Sequence, residues 1–150
     1  LLGTDLPARA APYTRDEVEA AIEAVVPAME IADSRLPPDA PEILKAADVV
    51  GNGAFITGRP VRDWRKLDLS DIGITLSHEN MSVGRGSSAR ILGNPMLAVV
   101  ALANAQPLPA GGLRKGQIVT TGTCITPIAL QPGAYVGDFG VLGNVVLEIA

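Results

Sequence analysis

The spacing of apolar residues changes character several times along the chain. Val18, Ala21, Ile22 and Val25 fall at i, i+3, i+4 and i+7, the stripe of one helix face, with Glu19 and Glu23 off it. Thr14 followed by Glu17 has the spacing of a capping box, so this pattern predicts a helix that starts at Thr14 and is stopped by Pro27. After Pro27 the order Ala28, Met29, Glu30, Ile31, Ala32 predicts a strand, with Glu30 on the face opposite Met29 and Ile31. Pro37-Pro38-Asp39 predicts a turn, and residues 40–48 a short helix burying Ile43, Leu44 and Ala47. Residues 54–57 predict a strand behind the break Gly51-Asn52-Gly53. Residues 72–78 alternate as a half-buried strand does, with Glu79-Asn80 as a turn and 81–86 as its hairpin partner.

In the second half, Asn94-Pro95 opens a run from Met96 to Ala103. Asn is a favoured cap and Pro suits the first helical position, so a helix is predicted, apolar nearly all round and therefore buried. A Pro/Gly loop spans Pro107 to Gly112. Residues 117–122 predict a strand ending in a glycine turn, and 135–139 and 145–149 two more, with turns at Gln131-Pro132-Gly133 and Leu142-Gly143-Asn144. Residues 1–12 read as a loop. No repeat, linker or charge block divides the chain, which predicts one α+β domain with an irregular, mostly β core and a few short helices over residues 1–150.

Composition narrows the function classes. At 150 residues, 47% hydrophobic and 19% charged, the chain has the apolar content for a core. A net charge of −4 and 3% aromatic residues give no electrostatic or stacking footprint for nucleic acid. No apolar run has the roughly 20 residues a membrane-spanning helix needs, so no membrane partner is expected. The single cysteine, Cys124, permits neither an internal disulfide nor a cysteine-based zinc site, and fits a cytoplasmic location.

The candidate chemistry begins with Glu30. A carboxylate between apolar neighbours on a strand is costly to bury unless it is paired or holds a metal, so the alternatives are metal ligation and a salt bridge to Arg35 or Arg9. His78, the only histidine, is an acid–base candidate by type, but Ser77, Glu79 and Asn80 around it suggest an exposed turn. Cys124 lacks a histidine-based dyad and reads as a packed thiol. Gly84-Arg85-Gly86 is no phosphate loop, since Lys-Ser/Thr and a strand-to-helix setting are missing. Arg85 and Arg90 are candidates for a second substrate carboxylate, or else solvated arginines.

The string Pro27-Ala28-Met29-Glu30-Ile31-Ala32-Asp33-Ser34-Arg35 resembles the P-x-x-E-I-x-D-S-R segment of 2-keto-4-pentenoate hydratases and related oxalocrotonate decarboxylases, within the fumarylacetoacetate hydrolase superfamily. The resemblance continues in order through Ala47-Asp48, Gly84-Arg85-Gly86, Leu92-Gly93-Asn94-Pro95, residues 116–122, Pro132-Gly133 and Leu142-Gly143. Collinearity from about residue 13 to the end carries more weight than any one fragment.

The resemblance implies a fumarylacetoacetate-hydrolase-like fold and a lyase that hydrates 2-hydroxy-alka-2,4-dienoates in aromatic-compound catabolism. The alternatives are a decarboxylase of the oxalocrotonate type, an acylpyruvate hydrolase, and a diverged member without catalysis. It implies one divalent metal, Mg2+ or Mn2+, with Glu30 as a ligand. In the family two further carboxylates from a Glu-x-Glu pair precede the stretch matching Leu1-Leu2-Gly3, and an active-site Lys lies further upstream. The chain is therefore expected to be the C-terminal part of a catalytic domain. Asp33 and Arg35 are expected to orient the ligand strand or to pair with each other, and Thr121-Gly122 to meet the carboxylate of a 2-oxo or 2-hydroxydienoate substrate. Homo-oligomers are expected. Val49 and Gly51 stand where the family's A-D-N-x-S has Asn and Ser, and Ala134 where its closing G-D has Asp, leaving Asn52 as a substitute by a shifted register.

Overall fold

The computed structural model describes residues 1–105 and 111–150. Among the described residues eight strands and three α-helices follow one another: β1 (Leu6–Pro7), α1 (Arg15–Ala21), β2 (Ala28–Ala32), α2 (Glu42–Ala47), β3 (Asn52–Thr57), β4 (Gly73–His78), β5 (Met81–Ser87), α3 (Pro95–Asn104), β6 (Gly112–Leu113), β7 (Gly133–Asp138) and β8 (Asn144–Ile149). The fold is mixed α+β, mostly strands with a few short helices. The strands form a four-stranded antiparallel sheet in the order β5-β4-β7-β8 and two separate antiparallel pairs, β2-β3 and β1-β6. The leading loop predicted over 1–12 thus contributes a short strand. Residues 107–110 of the predicted Pro/Gly loop lie outside the described residues.

Helix α1 starts as its sequence dictates. The Thr14 hydroxyl accepts from the Glu17 N–H at 3.3 Å, and the Glu17 carboxylate accepts from the Thr14 N–H at 2.8 Å. It ends at Ala21 rather than running to Pro27, because Ile22 and Val25 are captured by bridges to Leu2 and Val61. The Arg65 guanidinium donates to the carbonyls of Glu19 at 2.6 Å and Ile22 at 2.9 Å, satisfying groups that a longer helix would have bonded internally.

Helix α3 has the Asn94 cap, its side chain accepting from the Met96 N–H at 2.9 Å. It buries only one face, through Met96, Val99 and Ala103, while Leu97 and Leu102 are exposed, so the expectation of burial all round is corrected. Its buried face joins α1, Leu2, Trp64 and Ile72 in the main apolar cluster. Asn104 ties the two helices together, accepting from the Tyr13 N–H at 2.7 Å and donating to its carbonyl at 3.1 Å.

Two further expectations fail. In α2, Ile43, Leu44 and Ala47 are exposed rather than buried. The helix lies on the outside of the excursion between β2 and β3, anchored by the residues that flank it. Residues 117–122 form no ladder, although Leu2 hydrogen-bonds on both sides of the turn at 116–117. A strand needs a neighbour, and none lies beside this segment among the described residues.

The register of the large sheet decides what one of its faces presents. Leu76 pairs with Gly84 and Gly137, Gly137 with Val145, and Tyr135 with His78 and Leu147. With Ile74 opposite Gly86, this face carries apolar or small side chains, Tyr135 and, stacked on Tyr135 at the end of β4, His78, while Arg85, opposite Thr75, lies on the other face. Gly84 and Gly86 let the segment around residue 124 approach. A Cβ on Gly86 would overlap the Cys124 carbonyl oxygen.

Candidate functional site

That inner face, the β2-β3 pair, the N-terminal end of α3 and residues 118–130 enclose a cavity of about 550 Å³. Glu30, Thr121 and Gly122, three positions singled out from sequence, border it together. Asp33 and Arg35 do not.

Glu30 sits in the middle of β2, opposite Phe55 of β3. Its side chain is exposed rather than buried, so the expected burial of a lone carboxylate is corrected. Neither expected cation reaches it: Arg9 pairs with Glu17 at 2.8 Å and Arg35 with Asp48 at 2.5 Å. Its partner is the Asn52 amide, which donates to Oε1 at 2.7 Å. A register shift between Ile31 and Ala32 places Asn52 opposite Ala32, and this irregularity brings the amide to the carboxylate. Among the described residues no hydrogen bond reaches Oε2, leaving one hard oxygen of Glu30 uncommitted.

Asp33 and Arg35 shape the turn behind Glu30 instead of pairing with each other. The Asp33 carboxylate accepts from the Ser34 N–H at 2.8 Å, and the Asp33 N–H donates to the Gly51 carbonyl at 2.8 Å. Asp48 receives the Arg35 backbone N–H, its guanidinium and the Ser34 hydroxyl. Burial pushes the Asp48 carboxyl up, but these three donors outweigh it and hold it below the usual carboxylate range. The excursion they close contains two β-branched residues in the left-handed region, Val49 at φ 51° and Val50 at φ 56°, ahead of Gly51 at φ 76°.

Thr121 and Gly122 lie on the unpaired segment at the opposite wall. Neither the Thr121 hydroxyl nor the Gly122 N–H makes a hydrogen bond among the described residues. Gly122 has φ 123°, and the nearest atom to a Cβ placed on it is Ile91 Cγ1 at 3.8 Å. The two groups are thus unspent donors beside a cavity. Cys124, two residues on, is half-buried, and burial pushes its thiol up, partly opposed by Arg90. A raised thiol is a poor nucleophile at neutral pH, in keeping with a packed role.

His78 is not in an exposed turn. It ends β4, stacked on Tyr135 with ring centroids 4.4 Å apart, its Nε2 3.0 Å from the Pro132 carbonyl. These contacts close the corner between β4 and β7, and His78 is not among the described residues that border the cavity. Asn52 was readable only as a substitute for absent polar residues, and Asn104 gave no signal beyond ending an apolar run. Among the described residues no group of three His, Cys, Asp or Glu side chains is placed to hold a metal ion, and no helix is long and apolar enough to cross a membrane.

No protein-family model matches the chain. A solved structure of 4-oxalocrotonate decarboxylase from Pseudomonas putida G7, complexed with magnesium and adipate, superposes with a TM-score of 0.82 at 28% identity, covering 97% of this chain and 56% of that one. The fold is accordingly of the fumarylacetoacetate-hydrolase-like class. Over 138 residues the chain is 36% identical to a 4-oxalocrotonate decarboxylase of a Pseudomonas species, which takes in 91% of this chain and 52% of that protein. Over 121 residues it is 35% identical to the 2-keto-4-pentenoate hydratase of Paraburkholderia xenovorans (strain LB400), covering 80% of this chain and 45% of that protein. The chain belongs to the family of 2-keto-4-pentenoate hydratases and 4-oxalocrotonate decarboxylases, and spans about half the length of these curated relatives.

Proposed function

We propose that the protein containing this chain is a divalent-metal-dependent lyase that hydrates 2-hydroxy-alka-2,4-dienoates in aromatic-compound catabolism. The observation that carries the reading is the placement of Glu30 on the border of the same cavity as the Thr121 hydroxyl and Gly122 N–H, with one Glu30 oxygen and both of those donors uncommitted among the described residues.

The metal fits in kind but not in number. Glu30 supplies a hard oxygen suited to Mg2+ or Mn2+, yet a single carboxylate does not hold such an ion. The reading therefore requires further carboxylates from a part of the protein outside residues 1–150. A bound divalent ion would supply charge stabilisation for the enolate that hydration of a conjugated enol passes through. The chain's own contributions are simpler. Asn52 fixes the Glu30 rotamer through a 2.7 Å hydrogen bond. Thr121 and Gly122 donate to the substrate carboxylate and set its orientation. The apolar wall keeps water away from the rest of the substrate. Asp33 and Arg35 act at a distance, by closing the turn that holds β2 against β3.

A decarboxylase of the oxalocrotonate type is the second reading, favoured by the relative at 36% identity and by the structural neighbour. The test is loss of dienoate absorbance on adding the full-length protein with Mg2+, together with product analysis. A 4-hydroxy-2-oxo acid without carbon dioxide supports the hydratase, and carbon dioxide release supports the decarboxylase. No turnover of any dienoate with either metal would overturn both.

A further inference from the structure

On the lyase reading above, we infer that His78 is a positioning residue for the site: together with Tyr135 it fixes the cavity wall formed by Pro127 to Leu130, without touching the substrate itself. The contacts that carry this role all lie within the chain.

Among the described residues this wall joins no ladder, so its place is set at a few points. At one end, Cys124 and Ile125 lie over two glycines of β5. A Cβ on Gly86 would overlap the Cys124 carbonyl oxygen, and one on Gly84 would lie 3.4 Å from Ile125 Cδ1. At the other end, the Gln131 N–H donates to the Tyr135 hydroxyl at 2.8 Å, and His78 Nε2 donates to the Pro132 carbonyl at 3.0 Å. A carbonyl only accepts, so this ring nitrogen carries a proton whether the imidazole is neutral or charged. Between the two fixed points run residues 126–130, of which Pro127, Ile128, Ala129 and Leu130 border the cavity.

His78 and Tyr135 work as one unit. Their rings stack with centroids 4.4 Å apart and planes 17° from parallel, and Tyr135 is buried. His78 therefore steadies the ring that holds Gln131 and itself holds Pro132. Glu79 closes the same turn, its N–H donating to the Ala134 carbonyl at 3.0 Å and its carboxylate accepting from the Ala134 N–H at 2.7 Å. Only a glycine lets these groups meet, since a Cβ on Gly133 would lie 2.6 Å from Glu79 Oε1 and 2.7 Å from His78 Nε2. Because side chains rather than a backbone ladder anchor this end, one substitution can loosen the wall and leave the sheet paired. A loosened wall weakens contact with the substrate before and during reaction alike, which raises KM and spares kcat. Loss of folded protein does the reverse, lowering apparent kcat with KM unmoved.

The test is steady-state kinetics of the full-length protein with Mg2+ on 2-hydroxypenta-2,4-dienoate and on 4-oxalocrotonate, whichever it turns over. His78→Phe keeps a ring for the stack and removes the donor, and Tyr135→Phe keeps the stack and removes the acceptor. Each is expected to raise KM about three- to tenfold, the usual worth of one hydrogen bond, with kcat within about twofold. His78→Gln, which returns an N–H donor, is expected to fall between His78→Phe and the unsubstituted protein. Mn2+ affinity should stay unchanged in all three, because Glu30 is held on β2 by Asn52. Unchanged KM in both Phe variants, or a KM rise accompanied by an equal loss of Mn2+ affinity, overturns the positioning role and leaves the lyase reading standing. Turnover of neither substrate by the unsubstituted protein overturns both. If circular dichroism shows His78→Phe unfolded, Tyr135→Phe decides.

Discussion

At the scale of single residues, the site turns on a pair that sequence spacing alone does not bring together. Glu30 and Asn52 lie on neighbouring strands and meet because the β2-β3 ladder slips between Ile31 and Ala32. A neutral amide holding one carboxylate oxygen orients the group without neutralising it, which a salt bridge to Arg9 or Arg35 would do. Asn52→Leu removes that hydrogen bond and keeps the volume. A loss of about 10- to 100-fold in metal affinity of the full-length protein is expected, the usual cost of losing a partner that orients a ligand, read as the Mg2+ concentration needed for half-maximal activity. The same turn stores strain. Val50 is 82% exposed with φ 56° and ψ 34°, so Val50→Gly gives up little buried surface while relieving a conformation that costs a β-branched residue about 1–2 kcal/mol. Urea unfolding is expected to show a gain of about 1 kcal/mol, reduced from the full strain by the greater entropy glycine loses on folding. An unchanged or lower midpoint would mean that Val50 packs against something its exposure does not reveal.

At the scale of elements, the local signals were legible wherever the sequence itself supplies the partner. The Thr14-Glu17 capping box and the Asn94-Pro95 start are satisfied within three residues, and both helices begin where predicted. The Glu79-Asn80 turn closes β4 onto β5, both residues at positive φ. Thr14→Ala is expected to cost about 1 kcal/mol through loss of the hydroxyl cap. The Thr14 N–H and then Arg9 hold the Glu17 carboxyl below the usual range. Because the folded value is lowered, that contribution is present above the unfolded glutamate value and is lost as pH falls through the folded one. Melting temperatures of the Arg9→Ala variant and the unsubstituted chain should therefore converge as pH is taken below the ordinary carboxylate range. Where the partner is distant, the sequence misled. The stripe at Ile22 and Val25 reads as helix, yet Leu2 and Val61 claim those residues for bridges. Residues 117–122 have a strand's composition but, among the described residues, no strand beside them. Gly86 shows the same dependence on distance, since its lack of a side chain matters only because residue 124 passes over it. Gly86→Ala is expected to destabilise by about 1–3 kcal/mol, the usual range for overpacking, measured by urea unfolding.

At the scale of the whole molecule, the chain lines a cavity with Glu30, the proposed metal ligand, at its edge. The family was legible from the Pro27–Arg35 string and the collinear fragments after it, because those residues set turns and strand ends that the fold requires. Of the candidate site, only an outline was legible. Glu30, Thr121 and Gly122 share the cavity, while Asp33 and Arg35 hydrogen-bond in the turn behind β2, and the largely apolar inner sheet face emerges only when β4, β7 and β8 are laid in register. The chain spans about half its relatives' length, and the proposed metal site calls for carboxylates outside residues 1–150.

The central claim is that Glu30 is a metal ligand. Mn2+ binding to the full-length protein, followed by the loss of the free-ion electron paramagnetic resonance signal, tests it most directly against Glu30→Gln, an isosteric change that keeps the Asn52 hydrogen bond. The account predicts one Mn2+ bound per chain in the unsubstituted protein and an affinity at least about tenfold weaker in the variant, since a neutral amide oxygen replaces a charged hard donor. Equal binding by both proteins, with the variant folded, would contradict it.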